Sequence, residues 1–185
     1  INEAHKRGRA VELPWIGTPS QLFRKFIGTR GRFADQATML LVTTAVLREM
    51  ESNIIAPIVG PRRPSPDDVV AWSVIARQVC EAIKTATGSG HSLDRSTWPA
   101  HATEMLTDSA IKRFDVLREI HAKVETILSK DGLCIFEYEQ LALLNGDRSL
   151  DLGSTQRVVV VGASDLAVIA TQLLDRLVDQ GVLID

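Results

Sequence analysis

The chain has 185 residues, 45% hydrophobic and 24% charged, with only 5% aromatics. That is an ordinary globular balance with enough apolar material for one sizeable core or two small ones. A core so short of aromatics has to be built from Leu, Val, Ile and Ala, which suits helix packing better than an all-β sandwich. The net charge of −2 excludes a strongly basic nucleic-acid domain, and no apolar run approaches the roughly 20 residues that span a bilayer.

Residues 1–18 read as an irregular N-terminal segment, interrupted by Pro14 and Gly17. Its polar start, Ile1-Asn2-Glu3-Ala4-His5-Lys6, is no secretory signal. Beginning at Ile1 rather than Met is expected of a fragment or excised domain. A helical domain follows over 19–150. Thr18-Pro19-Ser20 is a helix start, a capping hydroxyl followed by Pro at the first helical position, and the short helix puts Leu22, Phe23, Phe26 and Ile27 on one face. Gly28-Thr29-Arg30-Gly31-Arg32 is a loop. From about Ala34 to Asn53, Ala37, Leu40, Leu41, Thr44, Val46 and Leu47 keep close to the 3.6-residue period.

Gly60-Pro61-Arg62-Arg63-Pro64-Ser65-Pro66 cannot be helical, because each proline excludes the α region for its predecessor. Asp67 and Asp68 then start a helix running to about Thr87, expected to bury Val69, Val70, Trp72, Val74, Ile75, Val79 and Ile83. Residues 88–100 read as a loop, and a candidate mobile one. The longest helical run spans about Thr103 to Ser129, with a possible break near Asp108. Its stripe is Ile111, Phe114, Leu117, Ile120, Val124, Ile127 and Leu128, and Lys130-Asp131-Gly132 stops it. Phe136 to Leu144 is a further short helix.

Residues 151–185 change character. Arg157-Val158-Val159-Val160-Val161 is a β-branched run of the kind found in strands buried on both faces. Gly162-Ala163-Ser164 turns the chain, and a helix from about Asp165 to Gln180 presents Leu166, Ile169, Ala170, Leu173, Leu174 and Leu177. Gly181 caps it and Val182-Leu183-Ile184 begins a second strand. The expected fold is therefore mainly α, a multi-helix domain with a small C-terminal β-α-β fragment whose sheet needs further strands.

The charge is unevenly spread. Residues 1–63 hold ten Lys/Arg against five Asp/Glu, a balance of +5, while the remaining 11 Lys/Arg and 18 Asp/Glu leave −7. An anionic partner for the N-terminal third would meet Arg24, Lys25, Arg30, Arg32, Arg62 and Arg63, which fall on loops or helix ends. Scattered Lys and Arg also simply solvate helix faces. Cys80 and Cys134 lie inside apolar periodic segments as small buried hydrophobes, and two separated thiols without a secretory signal imply a reducing, cytoplasmic compartment.

Complete catalytic machinery is not legible in the chain. There is no GxxxxGK[ST] loop to cradle phosphates and no GxSxG elbow. His5, His91, His101 and His121 do not share metal-ligand spacing, so no metal or cofactor is expected. His121, on the long helix, reads as structural or solvent-facing. Glu137 and Glu139 point to different sides of a helix and make a poor acid pair. The end of the 157–161 strand is where an α/β protein places ligand groups. A nucleotide motor would carry Asp-Glu there; this chain has Val161-Gly162, which can neither ligate a metal nor activate water.

The run from Arg157 to Leu177, with its Val-Val-Val-Val-Gly-Ala-Ser-Asp-Leu core and its Leu173-Leu174 pair, resembles the Walker-B region of superfamily 1 helicases. It is closer to the degenerate version in AddB- and RecC-like subunits of helicase–nucleases. The long helix containing Phe114–Ile120, its end at Lys130-Asp131-Gly132 and the following Phe136-Glu137 resemble the preceding segment of that family. Thr18-Pro19-Ser20-Gln21-Leu22 resembles the start of its helical insertion. Ala163 stands where the family has an aromatic, and Phe136-Glu137 where it has an acid first.

The resemblance implies an inactivated P-loop-NTPase-like core, with Val161 and Gly162 at the degenerate Walker-B position. It also implies a role in double-strand-break repair, DNA and a helicase–nuclease partner subunit as partners, and no membrane. The chain would be the helical insertion and adjoining strand–helix of a non-catalytic subunit, with any ATPase or nuclease activity belonging to the parent protein. Two other readings stay open. A winged-helix module would use 165–180 as recognition helix, although Asp165, Asp175 and Asp179 oppose only Arg176 there. A purely structural protein–protein module would suit the acidic C-terminal two-thirds.

Overall fold

The computed structural model describes residues 15–27, 32–162 and 166–185. Residues 1–14, most of the expected irregular segment, lie outside the described residues, as do Arg30 and the Ala163–Asp165 turn.

The molecule is mainly helical. Helix α1 (Pro19–Ile27) begins on a reciprocal cap: the Gln21 N–H donates to Thr18 Oγ1 at 3.4 Å, and the Thr18 N–H donates to Gln21 Oε1 at 2.8 Å. Strand β1 is only Arg32–Phe33. Asp35 accepts from the Thr38 N–H at 2.7 Å to start α2 (Gln36–Glu49). The expected helix to Asn53 in fact stops at Glu49, and a separate helix, α3 (Ser52–Val59), follows with Pro57 inside it. Asp68 caps α4 (Val69–Gly88) through the Ala71 N–H at 2.9 Å. The long run is broken before Asp108, as its sequence suggests, into α5 (Ala100–Glu104) and α6 (Asp108–Lys130). Then come β2 (Leu133–Cys134), α7 (Phe136–Asn145), β3 (Arg157–Val158), α8 (Val168–Asp179) and β4 (Leu183–Ile184).

Two apolar cores are present. The first joins Val46 and Leu47 of α2, Ile55 of α3, Trp72, Ala76, Val79 and Ile83 of α4, and Val116, Ile120, Val124 and Leu128 of α6. The second joins Phe23, Phe26 and Ile27 of α1, Leu143 of α7, Ile169, Leu173 and Leu177 of α8, and Val182, with Val158 and Ile184 packed against it. The packing is therefore nested: chain from both ends builds one core, and the segment between builds the other. The neck is the parallel pair β1–β2, Arg32 beside Leu133 and Phe33 beside Cys134, extended by the Ala34 N–H donating to the Cys134 carbonyl at 3.0 Å.

Several expectations are corrected. Val69, Val70 and Val74 are exposed, because α4 buries the stripe 72-76-79-83-87 and these three lie off it. Leu41 is exposed for the same reason on α2. Residues 88–100 are anchored: Leu93 is buried, the Trp98 indole N–H donates to the Ser92 carbonyl at 2.6 Å, and its ring meets Phe114 edge-on. β3 spans two residues rather than five, and Val159 and Val161 beyond it are exposed, so it is not buried on both faces. The closing β-α-β unit is present: β3 and β4 run parallel, Arg157 beside Leu183 and Val158 beside Ile184, with α8 between them in sequence.

Candidate nucleic-acid interface

Helix α1 buries Phe23, Phe26 and Ile27 and turns Arg24 and Lys25 outward in its last turn, where cations also suit the negative end of the helix dipole. The Arg24 guanidinium carbon lies 4.8 Å from the Phe136 ring centroid and 5.4 Å from that of Phe33, and the two rings meet edge-on at 5.2 Å. Lys25 Nζ lies 5.3 Å from the Trp15 ring centroid. Trp15 folds back over Gly17, where any Cβ would run into the indole. Arg32, next to Phe33, is exposed at the neck. Arg24 and Lys25 thus lie against half-exposed aromatic rings at the end of α1, while Arg32 is exposed on β1, where strand alternation turns it to the face opposite Phe33. None of the three has a carboxylate partner among the described residues. Such a surface offers phosphate contacts and ring faces together.

Arg62 and Arg63 belong elsewhere. Arg62 is exposed beside the helical core. Arg63 is committed to the fold: it donates to the carbonyls of Arg48 at 2.6 Å and Met50 at 2.9 Å and to Ser52 Oγ at 2.9 Å, while stacking 5.2 Å above the Trp72 ring. It satisfies the open carbonyls where α2 ends, so its donors are spent on the chain. Arg30 lies outside the described residues.

At the other sequence landmark, Val161 is 87% exposed, and Gly162 follows with φ 69°, a conformation that costs glycine nothing. No three His, Cys, Asp or Glu side chains are grouped to hold a metal among the described residues. A cavity of about 60 Å³ lies beside Phe33, Cys134, Glu139 and Arg148.

His121, for which the sequence left a structural and a solvent-facing reading, is buried. Its ring stacks on Tyr138 of α7 at 4.9 Å, Nε2 has no partner among the described residues, and burial pushes its pKa down to about 4. Sequence spacing gave no sign of this, because the burial comes from α7 folding onto α6. Cys80 and Cys134 are both free and half-buried; burial raises the Cys80 thiol pKa, and its sulfur lies 3.4 Å from Thr43 Oγ1.

No helix among the described residues is long and apolar enough to cross a membrane. No family model, curated protein or solved structure matches the chain.

Proposed function

We propose that this chain is a non-hydrolysing subdomain of an AddB/RecC-like, helicase-like subunit of a DNA-repair helicase–nuclease, in which helices α2–α6 form an insertion within an α/β core and the basic surface of α1 and β1 contacts DNA. The observation that carries this reading is the nesting. A helical unit with its own core enters and leaves through the two-strand neck, while α1, α7 and the parallel β3–α8–β4 unit share a separate core. An insertion into an α/β scaffold packs this way.

Two further features support it. The described residues beyond the carboxyl end of β3, Val159 to Gly162, carry no carboxylate, which suits a motor scaffold that has lost its metal-binding acids. Arg24 and Lys25 also lie beside Phe33 and Trp15, and Arg32 is exposed on the adjacent β1. The winged-helix reading is less well supported, since a wing is an antiparallel hairpin and β3 and β4 run parallel.

Fluorescence anisotropy with forked DNA across a salt series tests the reading. Affinity should fall steeply with salt, and Arg24→Ala with Lys25→Ala should lower the log–log slope by about 2, one per lost phosphate contact. No binding of the fork, or a salt-independent affinity, would overturn the DNA-binding role.

A further inference from the structure

The helical unit and the unit around α1, α7 and α8 keep separate apolar cores and meet along a polar seam. There His121 of α6 stacks on Tyr138 of α7, buried, with Nε2 unpartnered among the described residues. Carboxylates of the two units also stand near one another. Burial, and then Glu139 of α7, raises the Glu125 carboxyl of α6. The Tyr138 phenol is raised by burial and then by Glu125, Asp94 and Asp147, which brings acids of both units to one ring. An orphaned imidazole and facing like charges both oppose closure, and both regain water when the seam opens. Interfaces of this polar kind within one chain permit the joined units to move.

The neck supplies the pivot. The chain passes from one unit to the other at Ala34, before α2, and returns at Asp131-Gly132, after α6. These two crossings are held side by side by the β1–β2 pairing and by the Ala34 N–H on the Cys134 carbonyl. Gly132 has φ 66°, so the return crossing already runs through a backbone conformation that side-chain-bearing residues avoid. A few element-terminal residues of this kind are what a hinge requires.

Residues 89–99 supply the closure. They are fastened to the helical unit: Leu93 enters its core, Arg95 Nη2 donates to both Asp115 carboxylate oxygens at 2.9 and 3.1 Å, and the Trp98 ring meets Phe114. Their leading end nevertheless reaches the other unit. A Cβ on Gly90 would lie 2.8 Å from Gln172 Oε1, so the α8 side chain rests directly on the Gly90 backbone. We infer that the helical unit swings open about the β1–β2 neck, and that the segment 89–99 is the clasp that holds it shut by seating Gly90 against Gln172 of α8. The inference stands apart from the DNA-binding proposal, because it uses only the seam, the neck and the clasp.

Distances between spin labels, measured by pulsed electron resonance on the full 185-residue chain, test it. In a Cys80→Ser/Cys134→Ser background, labels at the exposed positions Lys112→Cys of α6 and Asp175→Cys of α8 span the seam. Labels at Lys112→Cys and the exposed Arg77→Cys stay within the helical unit and report that it remains folded. The seam pair should show a shorter and a longer distance. Gln172→Ala, which removes the seat of the clasp, should shift the population to the longer one. Glu125→Gln, which removes a like charge from the seam, should shift it to the shorter one, and the Arg77–Lys112 distance should not move in either variant. A single seam distance before substitution would overturn the swing. A seam distribution unmoved by Gln172→Ala would overturn the clasp, and so would equal lengthening of both label pairs, which would be general loosening.

Discussion

The helical unit and the unit around α1, α7, α8 and the β3–β4 pair are stabilised differently. The helical unit packs neighbours in sequence: α2, α3, α4 and α6 follow one another, and each α2, α4 and α6 start has a side-chain cap from Asp35, Asp68 or Thr107. The other unit joins α1, which has its own Thr18–Gln21 cap, to α8 from opposite ends of the chain, so its core depends on segments far apart in sequence whatever their caps. Local signals can specify the first, whereas the second holds only when distant segments meet.

Core truncation probes that contrast most strongly. Trp72 is fully buried, with its indole N–H donating to the Ser65 carbonyl at 2.9 Å, and Leu177 is fully buried in the other core. Trp72→Ala should cost about 3–5 kcal/mol and Leu177→Ala about 2–5 kcal/mol in urea titrations. If the two cores behave as separate units, amide exchange should rise in α2, α4 and α6 for the first variant and in α8 for the second. A uniform rise in both would make them one cooperative unit.

His121 tests the seam between the units, since it sits on α6 against Tyr138 of α7. Its pKa is near 6.5 in the unfolded chain and about 4 in the folded one. The unfolded state therefore binds the proton first as pH falls. Stability contributed by the neutral imidazole is complete above pH 6.5 and is lost progressively down to pH 4, a span worth roughly 3 kcal/mol. His121→Leu should flatten that part of the stability–pH curve; an unchanged curve would remove His121 from the seam.

A smaller effect separates structural from exposed arginines. Arg63→Ala should cost about 1–3 kcal/mol by leaving the Arg48 and Met50 carbonyls without their donor. Arg24→Ala, at an exposed position, should change stability by only about 0.5 kcal/mol or less. Paired melting curves measure both, and equal losses would erase the distinction.

What the sequence disclosed follows the same divide. Helices α1, α4, α6 and α7 were legible because caps, prolines and a 3.6-residue stripe are local. Helix α3 was not, since Pro57 argues against a helix and eight residues show little periodicity. The exposure of Val69, Val70 and Val74 was hidden because apolar residues surround α4 more broadly than its buried stripe. Strands β1 and β2 have two residues each, too few for any alternation, and only their meeting defines them. At the basic surface, Arg24 and Lys25 were visible as helix-end cations, but Trp15 and Phe33 beside them were not. The role of Arg63 in closing α2 was equally invisible, because its acceptors lie 11 to 16 residues upstream.

The nested packing has a consequence for the order in which the chain folds. Phe23 and Phe26 are made early, yet the α8 residues that cover them, Ile169 to Leu177, emerge about 140 residues later. The helical unit has all its partners within one continuous stretch and is free to fold while synthesis continues; α1 must wait with two phenylalanines bare. Contacts so distant in sequence form slowly, and apolar surface left open in the interval is prone to wrong association. The most vulnerable moment for this protein is therefore after the helical unit has formed and before α8 arrives.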